Sequence, residues 1–193
     1  MSEPTLIPIL CTIAELDDVF RQNIVYLPVS EDLALFLAHV AITPGNSLSW
    51  DYLPNNSELA GNTSVPQLFA VAFKNYAPGL EIESAVKFDR TFYLVKHKLR
   101  FGSSAVGLPT FYDDIRKYTG VDEFFVAIVN PSQLVFTDFN NKEVSEQLQQ
   151  IALNSKYNDA VKLTPSCYKL TADGLKCIAK RPPQVEAMDV DDS

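Results

Sequence analysis

Two histidines, three cysteines and two acidic doublets are the residues from which this chain could assemble catalytic chemistry. His39 and His97 lie far apart, each inside an apolar run. A histidine so placed is expected to be packed and hydrogen-bonded in a core. A zinc site would need further Cys or His ligands clustered around it. Cys11, Cys167 and Cys177 could supply a nucleophile only if a base or cation lowered a thiol pKa. Folding alone could bring such a base, for example His97 to Cys167; the spacing does not. An odd set of cysteines without CxxC spacing also argues against a secreted disulfide framework, so three reduced thiols are expected.

The doublets Asp113–Asp114 and Asp122–Glu123 flank one helical segment. Paired carboxylates can divide acid and base roles when burial separates their pKa values. Here Asp113 and Asp114 fall at a helix N-terminus, where the dipole favours acids without any catalytic duty. The run Gly102 to Gly107 superficially resembles a phosphate loop but lacks the following Lys-Ser/Thr. It reads as a connector between a helix and a strand. The residues thus predict no catalytic role, no metal and no cofactor.

Charge carries more information. Arg21 is the only base among residues 1–73, against eight acids. Residues 74–181 carry fifteen bases and twelve acids, and residues 182–193 carry four acids and no base. The net charge of −8 is therefore concentrated in the first third and the tail. Such a field repels nucleic acid and anionic membrane and steers basic partners inward.

The elements that must position these groups follow from pattern. A chain of 193 residues fits one domain with a sizeable core. The acidic N-terminus lacks the features of a signal peptide, and the apolar run Leu33 to Ile42 is too short to span a bilayer. A cytoplasmic protein is expected. Thr12 to Glu15 has capping-box spacing, predicting a short helix to about Phe20. Asn23 to Val29 reads as a strand; Leu33 to Ile42, apolar on both faces, reads as a buried strand or a buried helix, and the turn Thr43-Pro-Gly-Asn46 just after it favours the strand. Residues 46–62 read as loop. Ser64-Val-Pro-Gln67 is a second capping box, opening a helix to about Tyr76 with Leu68, Val71 and Ala72 as its stripe.

Glu81 to Phe88 and Thr91 to Phe101 then pair as a hairpin. Pro109 opens a helix ended by Gly120. Phe124 to Val129 is nearly continuous in apolar residues and predicts a central strand, with Leu134 to Thr137 beside it. Asn140 or Asn141 caps a helix with the stripe Val144, Leu148, Ile151 and Ala152. A last hairpin turns at Ala172-Asp-Gly174. The fold class is therefore α+β: a mainly antiparallel sheet of hairpins covered by helices, one domain over residues 1–181, then an acidic tail over 182–193.

The blocks Leu108-Pro-Thr-Phe-Tyr-Asp-Asp-Ile115, Phe124-Phe-Val-Ala-Ile-Val-Asn130 and Leu134-Val-Phe-Thr137 share a layout with a known group. The helix ending Ala72-Phe-Lys-Asn75 and the closing Leu163-Thr-Pro-Ser-Cys-Tyr168 complete it. Over Leu59 to Ile178 the chain resembles the YtpQ-like proteins, a bacterial family of unknown function. The resemblance implies a fold and brings no active site. By class and charge the chain also resembles bacterial toxin-immunity proteins, including those paired with type VI secreted nucleases.

The expectation is a non-catalytic binding protein that neutralises a basic toxin or effector. Asp17, Asp18, Asp51 and Glu58 would steer the partner, with Asp113 and Asp114, while Trp50 and Tyr52 would anchor it. Glu186, Asp189, Asp191 and Asp192 of the tail would extend the acidic surface. A secretion chaperone or adaptor, or an enzyme of unrecognised type, are the alternatives.

Overall fold

The computed structural model describes residues 4–87, 90–155 and 160–181. The chain first lays down a four-stranded antiparallel sheet from β1 (Thr5–Thr12), β2 (Tyr26–Pro28), β3 (Leu33–Ile42) and β4 (Leu48–Tyr52). β3 is its axis: β1 runs along one side, while β2 and β4 follow each other along the opposite side. From Leu33 to Ala38 every residue of β3 is fully buried, which explains an apolar run without alternation. Two short helices border this sheet, α1 (Asp18–Asn23) and α2 (Glu58–Asn62).

After α3 (Val65–Tyr76) comes a six-stranded sheet. Its strands are β5 (Leu80–Lys87), β6 (Arg90–His97), β7 (Phe124–Asn130), β8 (Gln133–Asp138), β9 (Ser166–Thr171) and β10 (Gly174–Lys180). The spatial order is β10-β9-β7-β8-β6-β5, antiparallel throughout. α4 (Phe111–Thr119) precedes β7, and α5 (Lys142–Asn154) joins β8 to β9. The pattern is α+β, with the predicted single sheet realised as two.

β7 shows why its sequence is apolar at every position. Phe124, Val126 and Ile128 enter the main core shared with the first sheet. Phe125, Ala127 and Val129 enter a smaller core under Val144, Leu148 and Ala152 of α5. The run Gly102–Gly107, a 3-10 turn, is a buried wedge between the sheets and leads from strand to helix. Ser104 Oγ accepts from Leu10 N at 3.0 Å, and Ser103 Oγ lies within reach of the Gln133 carbonyl at 3.2 Å. Backbone approaches so closely at the first end of the wedge that glycine is required there, and at the second end any larger residue would have to displace the packed Leu35 side chain. A Cβ on Gly102 would sit 2.6 Å from the backbone oxygens of Ser132 and Val95, and one on Gly107 would sit 2.5 Å from Leu35 Cδ1.

Several local expectations are corrected. Thr12 and Glu15 do not cap a helix. Thr12 Oγ1 accepts from Thr164 N at 2.9 Å, and Glu15 Oε1 accepts from Thr164 Oγ1 at 2.7 Å, so the pair ties the two sheets' segments together. α1 starts later, capped by Asp17. Residues 46–62 hold β4 and α2 rather than loop alone. Val71 and Ile151, each about half exposed, lie off their helices' buried stripes. Asn141 makes no cap bond; its amide donates weakly to Thr137 Oγ1 at 3.4 Å.

β1 has no counterpart among the predicted elements because Pro8 interrupts it. Two residues on, the Leu10 N–H points away from β3 and is taken by Ser104. Pro8 shares that parity, so its missing donor falls on the outer side of an edge strand.

Candidate functional site

The predicted acidic surface divides among several elements. Asp17 accepts from Phe20 N at 2.6 Å and so fixes the start of α1, and Asp18 pairs with Arg21. Glu58 occupies the first turn of α2, whose cap is Ser57. α1 and the approach to α2 lie side by side: Ile24 bridges to Pro54, and Asn55 bonds the carbonyls of Gln22 and Asn23. Asp51 lies exposed on β4, opposite His39 of β3. Asp113 and Asp114 stand apart from these acids, exposed on α4, which packs through Phe111 onto Phe136 of the other sheet. Glu186, Asp189, Asp191 and Asp192 lie outside the described residues.

The two proposed anchors are turned inward. Tyr52 meets Phe20 edge-on at 5.1 Å and Phe36 at 6.2 Å, and its hydroxyl lies 3.6 Å from Cys11 Sγ. Burial, with the adjacent Cys11, pushes the Tyr52 phenol above its usual range. Trp50 is half-buried, edge-on to Phe101 at 5.7 Å. Both rings stabilise the first sheet. Neither is presented as a free aromatic knob.

One polar cluster joins the sheets, and sequence reasoning missed it. Asp32, 8 % exposed, sits in the turn before β3. Its Oδ1 accepts from Ser30 Oγ at 2.7 Å. Its Oδ2 accepts from Tyr168 OH at 3.0 Å and pairs with Lys180 Nζ at 2.7 Å. Ser166 Oγ completes the chain by donating to Tyr168 OH at 2.9 Å. Burial alone would raise the Asp32 pKa. Hydrogen bonds from Lys180, Ser30 and Tyr168, with the Lys180 charge, together outweigh it and hold the carboxyl below its ordinary value. The same partnership raises Lys180.

A cleft of about 530 Å³ opens beside this cluster, lined in part by Asp32, Lys180 and Cys177. Burial and the neighbouring Asp32 charge raise the Cys177 thiol. Both carboxylate oxygens of Asp32 are thus bonded, one of them to a residue of the second sheet's edge strand, and the cluster is an inter-sheet latch.

The other titratable candidates are similarly engaged. His97 stacks on Tyr76 at 4.1 Å; its Nε2 lies 3.0 Å from the Tyr76 carbonyl, and its Nδ1 accepts from Leu99 N at 3.1 Å. These bonds define a neutral ring that donates from Nε2. Burial lowers its pKa to about 4, against the opposing Tyr76 hydrogen bond and with help from the Lys98 charge. Burial raises the Cys11 and Cys167 thiols to about 12. The Cys167–His97 pair does not form: each is held in its own surroundings, Cys167 in the core under α5. Among the described residues no three His, Cys, Asp or Glu side chains converge as metal ligands, and no helix is long and apolar enough to cross a membrane.

No family model matches this chain, and no curated protein or solved structure matches it.

Proposed function

We propose that this chain is a non-catalytic binding protein of the immunity class, which neutralises a basic protein toxin by occupying its phosphate-binding surface. The supporting observation is the state of the acids around the first sheet. Asp17, Glu31, Asp51 and Glu58 are exposed, while Arg21, the only base of residues 1–73, is already paired with Asp18. The one buried acid among the described residues of that region, Asp32, is consumed by Lys180. A nuclease surface that holds phosphates is basic, and an acidic protein can meet it with fast, steered association.

The test uses the proteins encoded by the genes flanking this one, each purified separately. A cognate toxin should bind and lose its activity. Its association rate should fall steeply between low and physiological salt, because exposed charges are screened within about 10 Å at 0.1 M. Absence of binding by every flanking product, or a salt-independent association rate, would sink the reading.

A further inference from the structure

A second cleft, of about 560 Å³, opens at one end of the six-stranded sheet, remote in sequence from the acids of α1, β4 and α2. That volume falls within the usual range for small-molecule sites, roughly 300–1,000 Å³. Among the described residues four charged side chains line it: Arg90 from β6, Asp138 from the end of β8, and Lys142 and Glu143 from the first turn of α5. Two are cationic and two anionic, so their formal charges cancel. None of the four forms an ion pair with any described residue. Asp138 commits only Oδ1, which accepts from Asn140 N at 2.8 Å. The apolar wall is the half-buried ring of Tyr93 with Val121 beside it. Tyr93 is held flat on Phe136 at 4.8 Å, and Tyr118 stands edge-on to it at 5.8 Å, itself 60 % exposed.

We propose that this cleft binds a free amino acid with an apolar side chain, taken up as its zwitterion. The ligand carboxylate meets Arg90 and Lys142, its ammonium meets Asp138 and Glu143, and its side chain lies on Tyr93. A simple anion would gain the two cations but face two carboxylates, and a simple cation the reverse. Only a molecule carrying both charges satisfies all four groups without leaving one sign opposed. The aromatic wall adds preference for an apolar side chain over a polar one.

L-phenylalanine is the probe, titrated into the full chain labelled for amide NMR. Saturable shifts should map to Thr91, Tyr93 and residues 138–143, with a dissociation constant below about 1 mM. Phenethylamine, which lacks the carboxylate, and 3-phenylpropanoate, which lacks the ammonium, should each bind about fivefold or more weaker, as expected for loss of a good exposed charge pair. Arg90→Gln and Lys142→Gln should weaken phenylalanine binding to a similar degree while preserving the dispersed spectrum, and Lys74→Gln on α3 should not. Asp138→Asn, which keeps the acceptor for Asn140, should weaken phenylalanine and tighten 3-phenylpropanoate, because it removes one of the two carboxylates that the anion faces. The proposal is overturned by an absence of saturable shifts, by either truncated analogue binding as tightly as phenylalanine, or by Arg90→Gln and Lys142→Gln leaving the affinity unchanged. Partner binding through the acids of the first sheet is read separately, so its failure does not bear on this result.

Discussion

Two groups of carboxylates in the first 73 residues share one chemistry and have opposite surroundings. Asp32 is buried and takes three side-chain hydrogen bonds, one of them from the Lys180 ammonium. Asp17, Asp51 and Glu58 are exposed, and no ion pair within the described residues neutralises them. The difference separates fold from function. A buried carboxylate with its partners is costly to disturb, because removing one partner strands the others. An exposed one contributes little to stability and is free to act on whatever approaches. The same residue type is therefore a latch in one place and a steering charge in another, and substitutions should tell them apart.

The largest expected effect is at the latch. Asp32→Ala removes the acceptor for Ser30, Tyr168 and Lys180 together. Breaking a buried pair costs about 3–5 kcal/mol. Lys180 is nearly half exposed and can turn to water, so the low end, about 3 kcal/mol, is expected in urea unfolding. The latch should also be acid-sensitive. Because the folded-state pKa of Asp32 is lowered, its contribution is complete above the unfolded-state value of about 4 and is lost as pH falls through the lower folded value. Asp32→Asn should abolish that part of the acid limb. A variant as stable as the parent, with the same acid limb, would reduce the latch to an ordinary surface turn.

A second titration separates from the first by its pH window. The His97 pKa is lowered to about 4 by burial, so the unfolded chain binds a proton that the folded chain refuses. Stability is complete above about pH 6.5 and declines as pH falls from there towards the folded value. A shift of this size corresponds to at most about 3 kcal/mol, approached only near the lower end of the window. Unfolding free energy measured at pH 7, 6 and 5 should fall progressively, and His97→Gln should flatten that slope while lowering stability at pH 7. A parent protein with constant stability over this range would show that His97 accepts its proton in the folded state.

Much of the fold was legible because local and global demands agree. Ser64 and Gln67 form the capping box their spacing announces, and Gly120 ends α4 in the left-handed conformation glycine favours. The unbroken apolar run of β7 is buried on both faces. β4 escaped because its alternation of half-buried Leu48, Trp50 and Tyr52 with exposed Ser49 and Asp51 spans only five residues and reads as a polar loop. β1 escaped because Pro8 is tolerated only by virtue of its edge position, which is a property of the sheet and not of the segment. The latch could not be read at all. Ser30, Asp32, Ser166, Tyr168 and Lys180 come from distant segments, and nothing distinguishes Asp32 in sequence from the exposed Glu31 beside it. The acidic surface was legible as composition, whereas the inward turn of Trp50 and Tyr52 depends on pairing with β3.

The smallest effect on stability, and the sharpest test of the comparison, falls on the exposed acids. Asp51→Lys and Glu58→Gln, the latter chosen because a cation would oppose the α2 N-terminus, remove no buried contact and no ion pair among the described residues, and surface changes of this kind stay within about 0.5 kcal/mol each. Asp17 differs, because its carboxylate caps α1; Asp17→Asn keeps the cap and removes the charge, so it is the correct variant there. The triple variant should therefore unfold at nearly the parent's urea midpoint. Its association with a basic partner should slow markedly at low salt and converge on the parent's rate at high salt, where screening already removes the field. The dissociation rate should change less, since steering charges act mainly on encounter. If instead dissociation accelerates while association is unaffected, these acids make short-range contacts in the bound state, and the division between steering charges and latch would have to be redrawn around an interface that includes them.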